Sequence, residues 1–299
     1  MDTLAHLTTF AAAARLGSFA AAGRQLGVSP AMVGRRIQAV ERHYGVRLIE
    51  RTTRSLRLTD VGQQFLASAI EILEAVDHLD DVAHTDEIVI AGRVRISGPT
   101  SLGSGRLARI IANLSKRWPA LSIELLLTDR KVDLIGEGFD LAIRVGELQP
   151  SGLIAGRIGT YTFACCAEPR LLEQHGFPQT PADLANIPCV LNLNMTPRDR
   201  WPFLDEKGRP FSAEVRGPLE IDNDEAQRIA CLEGGGVIYV PRHVVEGDLR
   251  NGRLVEVLAD WRKPEMPINA IHPSRQFVPK RVTAIIDGIR ASLAEPGGG

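Results

Sequence analysis

The sequence predicts an α/β protein in three parts: a helical head with a small β-hairpin, one long helix, and a larger domain of strands and helices. Three observations lead to this prediction. Residues 17–44 carry the caps and apolar spacings of two short helices joined by a tight turn. After Thr59, apolar residues recur every three or four positions for about five helical turns. From about Ile88 onward, short apolar strands alternate with helical stretches, which favours a sheet covered by helices.

The helix pair in the head has a recognisable start, turn and second start. Ser18 suits an N-cap, and Gly27 follows the first helix where a left-handed residue costs least. Ser29 and Pro30 then supply the cap and the first position of the next helix. The second helix is predicted to have an apolar face of Val33, Ile37, Val40 and Tyr44 and an opposite face of Ala31, Gly34, Arg35 and Gln38. A small, basic, amide-bearing face fits the DNA major groove, so residues 19–38 are predicted to form a helix-turn-helix, with an ordinary core helix pair as the alternative.

A basic hairpin follows the helix pair. Residues 45–51 and 56–58 are predicted to be strands joined by a turn at 52–55, and their guanidinium and hydroxyl groups are natural phosphate ligands. The first 60 residues hold nine Arg, no Lys and four acids, a formal charge of +5. Residues 61–90 hold seven acids and no Lys or Arg, so the whole-chain charge of −1 conceals a basic head. Positive charge therefore coincides with the predicted DNA reader.

The order and spacing of these positions over about sixty residues resemble the LysR-type transcriptional regulators. The matching positions are Phe10, 17–19, 21–22, 28–31, Ile37, Glu41, Gly45, Leu48, Arg51 and 58–62. The hairpin at 51–55 and the later segment 92–96 are similar to the CrgA-like branch of that family. Two positions depart from the pattern: Gly34 stands where the family usually has Ser, and Ile49 where it usually has Phe. Gly34 removes a hydroxyl from the reading face and costs about 1 kcal/mol of helix stability relative to Ala.

The resemblance implies a domain order. We expect a winged helix-turn-helix DNA-binding domain at 1–59, a dimerisation linker helix at 60–88 and an effector-binding domain at 89–299. The resemblance also implies a two-lobed, periplasmic-binding-protein-like effector domain, with lobe I at about 89–160 and 266–295 and lobe II at about 161–265. A small-molecule effector is expected between the lobes.

The linker helix carries one apolar stripe on an otherwise acidic surface. Its members are Phe65, Leu66, Ala69, Ile70, Leu73, Val76, Leu79, Val82 and Ala83. The stripe must be buried against something, either the rest of its own domain or the same helix of a second subunit. The family resemblance favours an antiparallel helix pair in a homodimer, or in a tetramer built as a dimer of dimers, that reads two-fold related operator DNA.

The larger domain is predicted as two α/β units. For the first we expect strands at 94–97, 121–128 and 140–145 in a parallel sheet, with helices at 102–118 and 132–136. For the second we expect strands at 162–167, 189–193, 219–222 and 237–240 and a helix at 225–233. A strand at 266–271 and a helix at 279–293 should return the chain to the first unit, as the resemblance implies.

Candidate DNA contacts lie on the second helix of the motif and on the hairpin. They are Ser29, Pro30, Ala31, Met32, Gly34, Arg35, Arg36, Gln38, Arg51, Thr52, Thr53 and Arg54. We expect Arg35 to reach a guanine edge, because two parallel N–H donors match O6 and N7. Arg51 and Arg54 are expected to contact phosphates, and the alternative for Arg51 is an ion pair with Glu50 or Glu41.

Candidate effector contacts follow strands of the larger domain. They are Thr100, Ser101, Leu102, Thr128, Arg144, Asn194 and Asn223, which the resemblance places around one pocket. The loop at 97–102 joins a strand to a helix, so its hydroxyl and N–H groups suit a polar or anionic ligand. Arg144 suggests a carboxylate. The alternatives are a helix cap for Thr100 and a structural ion pair for Arg144.

Other functional classes find little support. The Gly-rich spots at 103–105 and 234–236 do not extend to a phosphate loop or dinucleotide fingerprint, and 222–225 is better explained as a helix start than as a cation site. We see no catalytic constellation and no metal-ligand spacing, so neither an enzyme nor a cofactor is expected. A small-molecule receptor that does not act on DNA is the runner-up. No membrane span or secretion signal is visible, which favours a cytoplasmic protein with reduced thiols.

Overall fold

The computed structural model describes residues 2–51, 56–83, 90–148, 153–273 and 278–294. The head consists of α1 (Thr3–Leu16), α2 (Phe19–Leu26), α3 (Pro30–Tyr44), β1 (Ile49–Arg51) and β2 (Leu56–Leu58), followed by the long helix α4 (Asp60–Ala83). Ser18 and Ser29 cap α2 and α3 as predicted, since their hydroxyls accept from the N–H groups of Ala21 (3.3 Å) and Met32 (3.2 Å). Gly27 ends α2 in the left-handed region at φ 66°, also as predicted.

Two glycines allow close approaches that hold the head together. A Cβ on Gly23 would lie 2.6 Å from the carbonyl oxygen of Val28, and one on Gly62 would lie 2.1 Å from the carbonyl oxygen of Leu48. The first contact sets the turn between α2 and α3. The second brings the start of α4 against the segment that leads into the hairpin. Any side chain at either position would force the backbone apart.

The hairpin is shorter than the sequence indicates. β1 and β2 pair antiparallel with Ile49 opposite Leu58, but the predicted strand start at Gly45 is wrong. Gly45 instead ends α3 in the left-handed region at φ 67°, so strand pairing begins only at Ile49. The predicted turn at 52–55 lies outside the described residues.

The stripe on α4 has two different environments. Leu66, Ala69 and Ile70 are buried in the core of the head, which they share with α1 and α3. Further along the helix, Leu79 is 66% exposed, and Ile72 on a neighbouring face is 47% exposed. The first half of the stripe therefore packs within its own domain, whereas Leu79 of the second half is left uncovered in the single chain.

Lobe I is built on a five-stranded mixed sheet. Its strands are β3 (Gly92–Gly98), β4 (Leu121–Leu127), β5 (Leu141–Val145), β6 (Ile154–Tyr161) and β14 (Met266–His272), in the order β4-β3-β5-β14-β6. The expected all-parallel sheet is wrong: β3 runs parallel to β4 and β5, but β14 is antiparallel to both β5 and β6. The reason is that β14 enters this sheet from lobe II in the reverse direction. Helices α5 (Thr100–Leu102), α6 (Ala108–Arg117) and α10 (Lys280–Ala294) belong to this lobe, with a π-helical turn at Gly103–Leu107.

The short helix expected at 132–136 is also wrong. This segment forms an irregular turn in which the Asp133 carboxylate accepts from the N–H of Gly136 (3.0 Å) and the Glu137 carboxylate accepts from the N–H of Asp133 (3.0 Å). Gly138 ends the turn in the left-handed region at φ 69°. Side-chain acceptors take the N–H groups that a helix would need for its own ladder.

Lobe II contains three small sheets packed with helices. Its strands are β7 (Phe163–Ala167), β8 (Val190–Asn192), β9 (Arg200–Leu204), β10 (Pro210–Glu214), β11 (Leu219–Ile221), β12 (Ile238–Pro241) and β13 (Val255–Glu256). Its helices are α7 (Pro169–His175), α8 (Asp224–Leu232) and α9 (Arg242–Arg250), with a 3-10 turn at Pro181–Asn186. The orders are β12-β7-β13, the parallel pair β8-β11 and the hairpin β9-β10, which the sequence reading did not include. Trp201, Phe203 and Tyr239 fill the core.

The chain crosses between the lobes twice, from β6 to β7 and again before β14. Tyr161 ends β6 at the first crossing and is buried, so it stands at the boundary of the two lobes. Among the helices of the described ranges, none has both the length and the apolar character needed to cross a membrane.

Candidate DNA-reading surface and effector cleft

The outward face of α3 carries most of the predicted DNA contacts. Ser29–Met32, Arg35 and Gln38 are exposed, and Gly34 is half-buried between them. Behind this face, Val33, Ile37 and Val40 are at most 1% exposed in the head core. Tyr44 departs from the predicted apolar face: it is 47% exposed, although its ring contacts Phe65 at 5.1 Å between centroids. The helix therefore presents its small and basic residues outward, as a reading helix requires.

The two adjacent arginines of α3 have different surroundings. Arg35 is exposed, and its Nη2 lies 4.0 Å from the sulfur of Met32 one turn earlier. Arg36 is half-buried, and its Nη1 donates to the hydroxyl of Thr9 at 3.1 Å. Thr9 lies on α1 and is fully buried. Arg36 thus ties α3 to α1, which leaves Arg35 as the guanidinium that is free to reach a base.

The carboxylate of Glu41 holds the hairpin, a role that the sequence did not predict. Oε1 of Glu41 accepts from the N–H groups of Leu48 (2.9 Å) and Ile49 (3.2 Å). Thr59 donates its hydroxyl to the carbonyl of Arg47 at 2.7 Å and accepts from Gly62 at 2.9 Å. Glu41 is occupied with the hairpin backbone, which weakens the alternative of an ion pair with Arg51. The Arg51 side chain and residues 52–54 lie outside what the structure describes.

Ser101 connects the two lobes at the cleft. Its Oγ lies 2.6 Å from the hydroxyl of Tyr161, and it hydrogen-bonds the carboxylate of Asp224 on lobe II. Either hydroxyl of the Ser101–Tyr161 pair can be the donor; when Asp224 is ionised it accepts from Ser101, and Tyr161 then donates to Ser101. From α9, Nε2 of His243 lies 3.1 Å from the carbonyl oxygen of Ser101, so this nitrogen carries the imidazole proton. Ser101 of lobe I thus contacts lobe II through both Asp224 and His243.

The carboxyl group of Asp224 has a strongly raised pKa. Burial raises its pKa to about 6, with the nearby charge of Asp129 acting in the same direction and hydrogen bonds from Ser101 and Asn192 opposing it. The bond from Nδ2 of Asn192 measures 3.1 Å. Burial also lowers the pKa of His243 and raises that of Tyr161. This part of the cleft is therefore poor in solvent, which disfavours the charged forms of its titratable groups.

Arg144 supplies positive charge from β5 of lobe I. Its Nη2 donates to the hydroxyl of Ser97 at 2.8 Å and its Nη1 to the carbonyl of Ile143 at 2.7 Å. No carboxylate of the described residues lies within 4.0 Å of it, so the alternative of a structural ion pair is not supported. Burial lowers its pKa, and the charge of Asp129 partly opposes that effect. A half-buried guanidinium whose partners in the described part of the chain are neutral is well suited to bind an anion.

The remaining predicted effector residues of lobe I differ in burial and in the contacts they make. Thr100 begins α5, but Pro99 holds the cap position, so the cap alternative for Thr100 is wrong; its N–H donates to Asp129 at 3.1 Å. Thr128 is half-buried and follows β4. Leu102 is 1% exposed in the core of lobe I, which corrects its assignment as a ligand contact.

Two asparagines of lobe II are engaged with the backbone. Asn223 caps α8 by accepting from the N–H of Ala226 at 3.0 Å, as expected for a helix start. Asn194 donates its amide to the carbonyl of Asp222 at 2.5 Å. Both asparagines hold the backbone next to Asp224, whose carboxyl group supplies the charge at this edge of lobe II. The residues of the cleft that the sequence analysis missed are Asp129, Tyr161, Asp224 and His243, which meet only because four separate segments converge.

Comparison with known proteins covers both parts of the chain. Residues 4–63 match the family described as bacterial regulatory helix-turn-helix protein, lysR family, and residues 89–294 match the LysR substrate binding domain. The HTH-type transcriptional regulator DmlR of Escherichia coli is 33% identical over 99% of this chain and 96% of its own length. The HTH-type transcriptional regulator PtxR of Pseudomonas aeruginosa is 32% identical over 97% of this chain and 93% of its own.

Solved structures give the same result. CrgA, a LysR-type transcriptional regulator from Neisseria meningitidis, superposes with a TM-score of 0.62 at 29% identity, covering 97% of this chain and 99% of that one. The family and these relatives are transcriptional regulators rather than enzymes. With a helix-turn-helix head and a substrate-binding domain that together match most of its length, this chain belongs to the LysR family of transcriptional regulators.

Proposed function

We propose that the protein binds operator DNA sequence-specifically as a homodimer, or as a dimer of dimers, and that a small organic anion in the cleft between its lobes changes this binding. The division of labour follows the predicted domains, with DNA contacts in 1–59, subunit contacts in 60–88 and the effector in 89–299. The observation that carries the effector part is the half-buried Arg144, whose guanidinium donates to a hydroxyl and a carbonyl and has no carboxylate within 4.0 Å among the described residues.

Base reading is assigned to α3 and phosphate contact to the hairpin. Arg35 is exposed on the outer face of α3, while Arg36 is engaged with Thr9. Exposed Arg47 and Arg57 flank the hairpin, where guanidinium groups suit phosphate oxygens. Basic charge concentrated in the first sixty residues supports approach to DNA. Selection and sequencing of the DNA fragments retained by the purified protein should return a two-fold related sequence; equal retention of unrelated fragments would contradict sequence-specific binding.

The dimer is assigned to the second half of α4. Leu79 exposes 66% of its surface in the single chain, whereas the first half of the stripe is already buried in the head. A second α4 packed antiparallel would cover it and would place two heads on one DNA site. The core of the head does not cover Leu79, because Leu66 and Ile70 of the same helix already pack there.

The effector is assigned by the chemistry of the cleft. Arg144 lies in lobe I, where its planar donors match a carboxylate. Ser101 and Tyr161 add hydroxyls at the lobe boundary, and a ligand that replaces the Ser101–Asp224 bond would change how the lobes close. Carboxylic acids that raise the melting temperature of the wild-type protein should not do so for Arg144→Gln. Equal stabilisation of both proteins would refute the role of Arg144.

A further inference from the structure

The irregular turn of lobe I that precedes β5 contributes side chains to two different cores. Val132, Leu134 and Phe139 are at most 9% exposed and pack together within lobe I. Ile135 lies between them in the sequence, but it is half-buried and packs against the core of the head instead. The turn is therefore shared between lobe I and the head of the same chain.

A second close approach to the head lies at the end of the same turn. Gly138 is buried and left-handed at φ 69°, and a Cβ built on it would lie 2.5 Å from Cδ of Arg15 on α1. The aliphatic stem of Arg15 therefore crosses directly over the backbone of the turn. A larger residue at position 138 would meet both an unfavourable dihedral angle and this stem. The turn thus fits the head at two points, Ile135 and Gly138.

An ion pair fixes the shape of the turn. Nη1 of Arg130 donates to Oε1 of Glu137 at 2.7 Å, and its Nη2 donates to the other carboxylate oxygen. Hydrogen bonding to Arg130 holds the pKa of the Glu137 carboxyl below its usual range. The same carboxylate accepts from the N–H of Asp133 at 3.0 Å, and the N–H of Phe139 donates to the carbonyl of Leu134 at 2.8 Å. Because a bidentate pair fixes orientation as well as distance, the two ends of the turn move together.

The other end of this segment reaches the effector cleft. Asp129 directly precedes Arg130, and its Oδ1 accepts from the N–H of Thr100 at 3.1 Å. Burial lowers the pKa of Arg144, and the charges of Asp129 and Arg130 act on that pKa in opposite directions. Residues 129–138 therefore extend from the charged groups of the cleft to the core of the head.

We propose that residues 129–138 dock lobe I onto the head of the same chain and transmit changes in the cleft to the DNA-binding domain. A cleft ligand that displaces Asp129 from Thr100 displaces Arg130 with it, and the ion pair to Glu137 passes the shift to Ile135. Coupling of this kind needs a continuous chain of packed and hydrogen-bonded groups, which this segment supplies. The docking contact stands without any ligand, whereas its regulatory role rests on the effector cleft proposed above.

Hydrogen–deuterium exchange of the full-length protein, followed by mass spectrometry, measures the docking without DNA or ligand. Ile135→Ala removes an apolar contact of the head, so the amides of α1 and α3 should exchange roughly tenfold faster while those of β3 and β5 keep their rates. Ile123→Ala is the matched control, because Ile123 is also half-buried but packs against the core of lobe I. It should speed exchange in the sheet of lobe I and leave the head unchanged. Equal head rates in Ile135→Ala and wild type would overturn the docking surface.

Asp129→Asn tests the connection between the cleft and the head in the same assay. The substitution removes the charge from the acceptor of Thr100, so the head amides should exchange about threefold faster, as when a charge-assisted hydrogen bond becomes neutral. Asp222→Asn, the same change at an exposed residue of lobe II, should leave them unchanged.

The connection also predicts that Asp129→Asn has no further effect on the head once Ile135→Ala has removed the docking contact. Additive effects of the two substitutions, or unchanged head rates in Asp129→Asn alone, would refute transmission through the turn. Both measurements are made without an effector. Their failure would therefore leave the assignment of Arg144 standing, and failure of carboxylic acids to bind at Arg144 would leave the docking surface standing.

Discussion

Replacing Asp224 with Asn should stabilise the protein near neutral pH and should remove part of its pH dependence. In the folded chain burial raises the pKa of this carboxyl group to about 6, from an ordinary value of 3.8. The folded state therefore keeps the proton between about pH 4 and 6, where the unfolded chain has already released it. Because the unfolded state binds fewer protons there, stability falls as pH rises through this window, and the full cost is present above about pH 6.

The magnitude follows from the shift. A displacement of about two pKa units corresponds to about 3 kcal/mol, at 1.36 kcal/mol per unit. Asn has nearly the same shape, and its one amide oxygen can take the place of Oδ1 and still accept from Asn192, so the variant should lose most of the cost of the charge. Since 1 kcal/mol moves the melting temperature of a domain of this size by about 2–4 °C, the expected gain near pH 7.5 is several degrees. Near pH 4 the two proteins should melt together.

The assay is thermal unfolding of both full-length proteins, followed by intrinsic fluorescence between about pH 4 and 8. Asp222→Asn is the matched control, because it makes the same change two residues earlier at an exposed side chain. It should leave the pH profile as in the wild type. The account of Asp224 would be refuted by a higher melting temperature of the wild type at pH 7.5. It would also be refuted if the difference in melting temperature between Asp224→Asn and wild type did not vary with pH.

Three further substitutions test the other assignments. Arg35→Ala should cost about 1–3 kcal/mol at the operator and relax preference at one base pair, measured by fluorescence anisotropy; an equal loss on random DNA would make Arg35 a phosphate ligand. Leu79→Glu should give smaller species in light scattering and weaker operator binding. The melting temperature of the head should not change, because Leu79 lies outside the head core. Leu73 is less suitable for this test, because it packs partly against that core. Thr100→Val should leave operator affinity without ligand nearly unchanged and reduce the response to a cleft ligand in the same anisotropy assay, since Pro99 rather than Thr100 caps α5; a variant that responds like wild type would remove Thr100 from the cleft.

The head illustrates what local sequence determines. Ser18, Gly27, Ser29 and Pro30 act through hydrogen bonds and dihedral angles within four residues of themselves, so their roles can be read without a fold. The family of the chain was likewise visible in the spacing of one sixty-residue segment. The hairpin start was misjudged because the choice between a helix end at Gly45 and a strand depends on Glu41, which accepts from N–H groups seven and eight residues away.

The cleft and the sheet depend on contacts that sequence patterns do not encode. Asp224 looks like an ordinary helix-start acid, and only burial beside Ser101 and Asp129 turns it into a group with a pKa near neutrality. The antiparallel course of β14 depends on the chain returning from lobe II, and Leu102 belongs to the core because α5 packs inward. The spacing of the apolar residues predicted the stripe of α4. Which half of the stripe the head core covers depends on how α1 and α3 pack. Caps and periodicity act over a few residues, whereas burial and the convergence of distant segments arise only when the whole chain is folded.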